Sequence, residues 1–153
     1  MSRIMVLRHV FIWVLSGFLG AQSVMALELV SLEEMLASSS AADPLVPKTA
    51  ASPGAPQIDI VHPKLDTPIA SPTAIQLVFV PSSSSAVRPE TFKVLYGRLR
   101  VDITQRLTQV AKVTAEGVNI KEASLPKGTH RLLLSIEDQQ GRQGVKSLDF
   151  EIK

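Results

Sequence analysis

His62, His130 and the adjacent pair Glu137–Asp138 are the side chains best suited to metal or acid–base chemistry beyond the first 26 residues. Such chemistry needs company. A metal site gathers several donors at close spacing, and a general base needs a nucleophile within reach. Neither histidine has a partner histidine at i+2 or i+4, and the chain contains no cysteine. Glu137 and Asp138 are neighbours in an alternating run, so they point to opposite faces of a strand and do not share a cation. Ser82 to Ser85 form a serine run next to Pro81, the composition of a loop, and there is no G-x-S-x-G and no phosphate-cradling glycine loop. The expectation is a protein that is not an enzyme and holds no metal or cofactor.

A second constellation is regular enough to need a reason. Gly128, His130, Asp138 and Gly141 punctuate LPKGTHRLLLSIEDQQGR, residues 125–142. By strand parity His130, Leu132, Leu134, Ile136 and Asp138 share one face, and the three middle residues read as core. A glycine two residues before the histidine suits a strand-entry corner, with the imidazole bonded to backbone for about 1 kcal/mol. Asp138 to Gly141 reads as a type I turn, its aspartate accepting backbone N–H groups and its glycine supplying positive φ. A third constellation is basic. If RLRVDI continues a strand across a turn at Gly97, Arg98 and Arg100 project from one face, and Lys93 on the preceding strand joins them if that turn is a tight hairpin. The face either meets an anionic partner or is a solvated edge whose charges block sheet-to-sheet pairing.

These residues need strands to position them. From Gln57 onward, short alternating apolar runs are divided by turn residues: AIQLVFV, TFKVLYG, RLRVDI, GVNIKEASL, THRLLLSI and VKSLDFEI. Turn signals at intervals of about eight to twelve residues with period-2 patterning indicate an antiparallel sandwich. One interruption, DITQRLTQVA, has Asp102 and Gln105 at capping-box spacing and reads as a helical turn. Upstream, LELVSLEEMLA carries a capping box at Ser31 and Glu34, with Leu29, Leu32 and Leu36 expected on one helix face. Residues 37–56 are rich in Ala, Ser and Pro, a linker composition.

The first 26 residues set the compartment. Arg3, Arg8 and His9 precede the apolar run Val10 to Leu19, and Val24 and Ala26 supply the small residues of a cleavage site. This reads as a signal peptide cut after Ala26, giving a periplasmic or secreted protein with no integral span left after cleavage. The alternative is an uncleaved anchor, because an uncharged run of about 18 residues just spans a bilayer. Loss of Arg3 and Arg8 balances the remaining basic and acidic residues. The pI near 9.1 therefore belongs largely to the leader and does not indicate nucleic acid as a partner. Residues 27–54 carry net −3 and the rest of the mature chain net +3.

KVLYG (93–97), VDIT (101–104), LPKGTH (125–130) and DQQGR (138–142), taken together, resemble the second half of bacterial Ig-like domains of exported proteins. The resemblance covers residues 56–153. It implies an all-β, single immunoglobulin-like antiparallel β-sandwich, preceded by a signal peptide (1–26) and by a short helix with a disordered linker (27–55). In that family, modules act as spacers, adhesin repeats and accessory units, which implies an accessory subunit docking on an envelope protein or other envelope component. The first half, IVHPKLDTPIASPTAIQLVFVP, is also similar to small periplasmic copper carriers of the copper-resistance C type. Their mature N-terminal histidine is replaced here by Leu27, and their Asp-Gly-His turn by Asp138-Gln139-Gln140-Gly141. A carrier that has lost its ligands and a membrane-tethered structural spacer are the alternative readings.

Overall fold

Strand content follows the alternation. The computed structural model describes residues 27–43, 51–82 and 85–153, so the leader and the middle of the linker lie outside the described residues. Eight strands run in chain order: β1 (Leu27–Glu28), β2 (Gln57–His62), β3 (Thr73–Val80), β4 (Val87–Tyr96), β5 (Val101–Asp102), β6 (Gly117–Ser124), β7 (Gly128–Asp138) and β8 (Gln143–Ile152). Among the described residues two helices interrupt them, α1 (Leu32–Ser40) and α2 (Thr104–Thr108). The strands form two four-stranded sheets, in the orders β1-β6-β3-β2 and β5-β4-β7-β8. All pairings are antiparallel except β1 on β6. Among the described residues no helix is long and apolar enough to cross a membrane.

The sheets share one core. Ile58, Leu77 and Phe79 from the first meet Phe92, Val94, Tyr96, Leu134, Ile136 and Leu148 from the second. Phe79 and Phe92 join the layers through tilted rings 5.3 Å apart, a geometry that places a ring edge toward a ring face. Alternation decides which side chains enter: along β7, His130, Leu134, Ile136 and Asp138 are buried, while Thr129 and Arg131 are exposed.

Several expectations need correction. The folded body was expected to begin at residue 56, yet Leu29 and Val30 are already core, at 3% and 0% exposure. The alternation rule finds a sheet's own strands but is blind to a short arm whose burial depends on a distant surface. Leu29, Leu32 and Leu36 do not share a buried face: the helix starts only at Leu32, and its inward side is Glu34, Met35 and Ser38. Residues 97–100 form a turn, with φ of +66 at Gly97 and +51 at Arg100. Strand parity therefore does not relate Arg98 to Arg100. The expected loop before TFKVLYG is shorter, since β4 starts at Val87; it passes Pro89, which has no N–H to donate, through a register shift between Arg88 and Lys93. Finally, Asp102 does not form a capping box with Gln105. Its Oδ1 instead accepts from Thr104 N at 2.9 Å, and α2 has no side-chain cap at Ile103.

Candidate functional site

One end of the molecule collects most of the polar chemistry. There β4 ends, β7 begins, and α1 lies across the opening. The helix forms because Ser31 Oγ accepts from Glu34 N at 3.2 Å and Glu34 Oε2 accepts from Ser31 N at 3.0 Å, a closed capping box. Nine residues of helix are marginal alone, so docking must hold it. Gly97 permits the approach: a Cβ there would overlap Ser38 Oγ, and its φ is one that glycine adopts freely. Ser38 Oγ then accepts from Arg98 N at 2.9 Å.

Charge completes the attachment. Arg106 grips the Glu34 carboxylate with both terminal nitrogens at 2.7 Å and donates to Leu29 O at 3.2 Å. This bidentate bond, joined by the Ser31 N–H, holds the Glu34 carboxyl down at about 2, and the same contact raises the Arg106 guanidinium. At the other end of α1, Arg98 Nη1 donates to Ser39 O and Ala41 O, both at 3.0 Å. It thereby satisfies carbonyls that a helix C-terminus leaves open and opposes the negative end of its dipole. Arg98 Nε meets Asp43 Oδ1 at 3.1 Å. Arg131 Nη1 reaches the same oxygen at 3.2 Å, while its Nε holds Asp149 at 2.7 Å. A cleft of about 140 Å³ lies beside this cluster, lined in part by Met35, Ser38, Tyr96, Thr129 and His130.

Beneath the cleft is a buried, uncharged pair. His130 is 1% exposed and stacks on Phe150 with ring centroids 5.5 Å apart. Its Nε2 is 2.7 Å from Pro126 O and its Nδ1 is 2.9 Å from Tyr96 Oη. A carbonyl only accepts, so Nε2 carries the proton, and Nδ1 accepts from the Tyr96 hydroxyl. Burial lowers the imidazole's pKa against an opposing contribution from the Pro126 carbonyl. Burial also pushes the Tyr96 hydroxyl up to about 12, with help from the Glu34 charge. A phenol so reluctant to ionise is a poor nucleophile at neutral pH, so the pair works as a tie between strands.

At the opposite end of β7, Asp138 Oδ1 accepts from Gln140 N at 2.9 Å and Arg142 N at 3.0 Å, and Oδ2 accepts from Arg142 Nε at 2.7 Å. Burial raises its carboxyl, but the backbone and guanidinium donors outweigh that, and the net displacement is downward. Gly141 turns the chain with φ +73. Gly128, at φ +132, lies under the Met35 sulfur.

Lys93, Arg98 and Arg100 lie in three different local settings. Arg98 is engaged by α1, Lys93 is exposed on β4 and acts electrostatically on Asp102, and Arg100 lies beyond the turn tip. The guanidinium that does converge with Arg98 is Arg131, which sequence reasoning passed over. The only sequence signal for it was the opposite net charge of residues 27–54 and the remainder. His62 ends β2 in the other sheet, is exposed, and is not among the residues that line the cleft. Among the described residues no group of three metal-ligating side chains converges. No family model, curated protein or solved structure matches the chain.

Proposed function

We propose that the chain is an exported, non-enzymatic Ig-like interaction module that docks as an accessory subunit on a larger envelope protein. Several features support the Ig-like reading. If β2 to β8 are taken as A, B, C, C′, E, F and G, the sheets become ABE and C′CFG, with β1 added beside E. The bond from His130 back to Pro126 O, four residues upstream, occupies the place of the tyrosine corner at the entry to strand F. Export is supported by the Val24-x-Ala26 cleavage signal.

The observation that carries the binding role is an apolar surface on α1 and the turn packed beside it. Leu32, Leu36 and Leu99 are 56%, 55% and 54% exposed, although the molecule has a well-filled core elsewhere. Scattered exposed leucines are ordinary, but Leu32 and Leu36 lie one helical turn apart on the outward side of an arm pinned by charge. Affinity capture of the tagged protein from its own envelope, beside a Leu32→Asp/Leu36→Asp form, tests this. The expected result is loss of the captured envelope protein from the double variant with an unchanged melting curve. Equal recovery overturns the docking role. Intact-mass measurement of the exported protein is expected to find Leu27 first; a retained Met1 or Ser2 overturns the cleaved-signal reading.

A further inference from the structure

We infer that Arg98 and Arg131 form a receptor for the carboxylate of an acidic peptide segment of a protein partner, a site that Asp43 fills from within the same chain. This deepens the interaction-module reading and rests on it. Three observations lead there.

First, the two guanidiniums converge: Arg98 Nε and Arg131 Nη1 meet one oxygen, Asp43 Oδ1, at 3.1 and 3.2 Å. Second, both arginines keep a partner without Asp43, the Arg131–Asp149 pair being itself half exposed. Arg98 Nη1 is fixed by the carbonyls of Ser39 and Ala41, and Arg131 Nε by Asp149 at 2.7 Å. Removing Asp43 therefore leaves two donors aimed at a vacant carboxylate position and a net positive charge of one, since Asp149 balances only one guanidinium. Third, the Asp43 side chain is 67% exposed, and ion pairs at such exposure hold weakly and exchange readily.

The cleft of about 140 Å³ adjoins this position, with Met35 and Tyr96 offering apolar surface and Ser38 and Thr129 polar edges. It has room for one compact apolar side chain. The peptide class that fits is short and extended, with an aspartate or glutamate for the arginines and a small apolar residue near it. The cis segment shows the pattern of contacts: a carboxylate on the paired arginines, reached by an extended stretch after a helix end. A free peptide must compete with a tethered carboxylate, so wild-type affinity is reduced by the fraction of time Asp43 is seated.

The test is fluorescence anisotropy of a fluorescein-labelled Ala-Val-Ala-Asp amide, and of its Asn counterpart, with the full mature chain. Asp43→Asn is expected to bind the acidic peptide about fivefold more tightly than wild type, the factor set by an exposed pair. Adding Arg131→Gln should reverse that gain, and binding should weaken as salt rises past roughly 0.15 M. Equal binding of the Asp and Asn peptides to the wild-type protein overturns the proposal without recourse to any variant, as does an Asp43→Asn form no tighter than wild type. If those results appear while capture still depends on Leu32 and Leu36, the carboxylate site alone falls. Should capture ignore those leucines while the acidic peptide binds as expected, the apolar docking surface falls instead.

Discussion

Two polar clusters lie one above the other at the same end of this molecule, and they are built on opposite principles. The lower one, Tyr96–His130–Pro126 O, is buried, uncharged and stacked on Phe150. The upper one, Glu34–Arg106 with Asp43–Arg98–Arg131, is ionic and half in solvent. The lower cluster ties β7 to β4 and to its own entry turn, and nothing about it requires movement. The upper cluster holds an arm that a change of salt, acid or competing carboxylate can loosen. A buried, uncharged bond makes a permanent joint; an exposed ion pair makes a releasable one.

Breaking the permanent region should have the larger effects. Leu134→Ala, at 1% exposure beneath the cluster, is expected to cost about 2–5 kcal/mol in denaturant unfolding, as lost burial plus a cavity. His130→Ala comes next, at about 2–3 kcal/mol, because it strands the Tyr96 hydroxyl and the Pro126 carbonyl as well as leaving space. The releasable region responds less. Glu34→Gln should cost about 1 kcal/mol, with the loss shrinking in high salt; Arg106 is 41% exposed, so screening keeps the figure well below what the carboxyl's displacement alone implies. Asp43→Asn should cost the least, at most about 1 kcal/mol, which is the same roughly fivefold factor by which it frees the peptide site.

Acid titration separates the two regions by sign and window. The His130 pKa is lowered on folding from 6.5, so the unfolded chain binds the extra proton first. Its contribution is full above about pH 6.5 and is lost as pH falls below that value toward the folded pKa. Glu34 is lowered from 4.5 to about 2, so its contribution is full above 4.5 and lost between 4.5 and about 2. Stability should therefore decline in two stages on acidification. Glu34→Gln should shrink the second, to which the lowered Asp138 carboxyl also contributes, and His130→Ala should remove the first.

The two regions also differ in how far they could be read from sequence. The strand pattern and the parity of β7 are local, so Leu134 and Ile136 are identifiable as core from alternation alone. The Ser31–Glu34 capping box is local too, three residues apart. Its docking was not legible, because Glu34 meets Arg106 across 72 residues and Asp43 meets Arg131 across 88. No periodicity encodes such contacts. The same limit applies to the basic residues: Gly97 signals a turn, but RLRVDI looks like alternation resumed at once, and the positive φ at Arg100 that prolongs the turn leaves no hydrophobic signature. Tyr96, the partner of His130 across 34 residues, stands in the alternating run TFKVLYG, where nothing marks it as the partner of a histidine.

Under the proposed function, this protein acts through the arm-covered end, by the outward side of α1 and its neighbouring turn. Site-specific photo-crosslinking in intact cells tests it most directly, with the crosslinker placed in turn at Leu32, Leu36, Leu99 and Val80. Val80 is a suitable control because it is 40% exposed and ends β3, whose other end pairs Thr73 with Ala123 beside β1. The predicted result is one common protein adduct from Leu32, Leu36 and Leu99 and none from Val80. An adduct of the same protein from Val80, with none from α1, would rule out docking through that end.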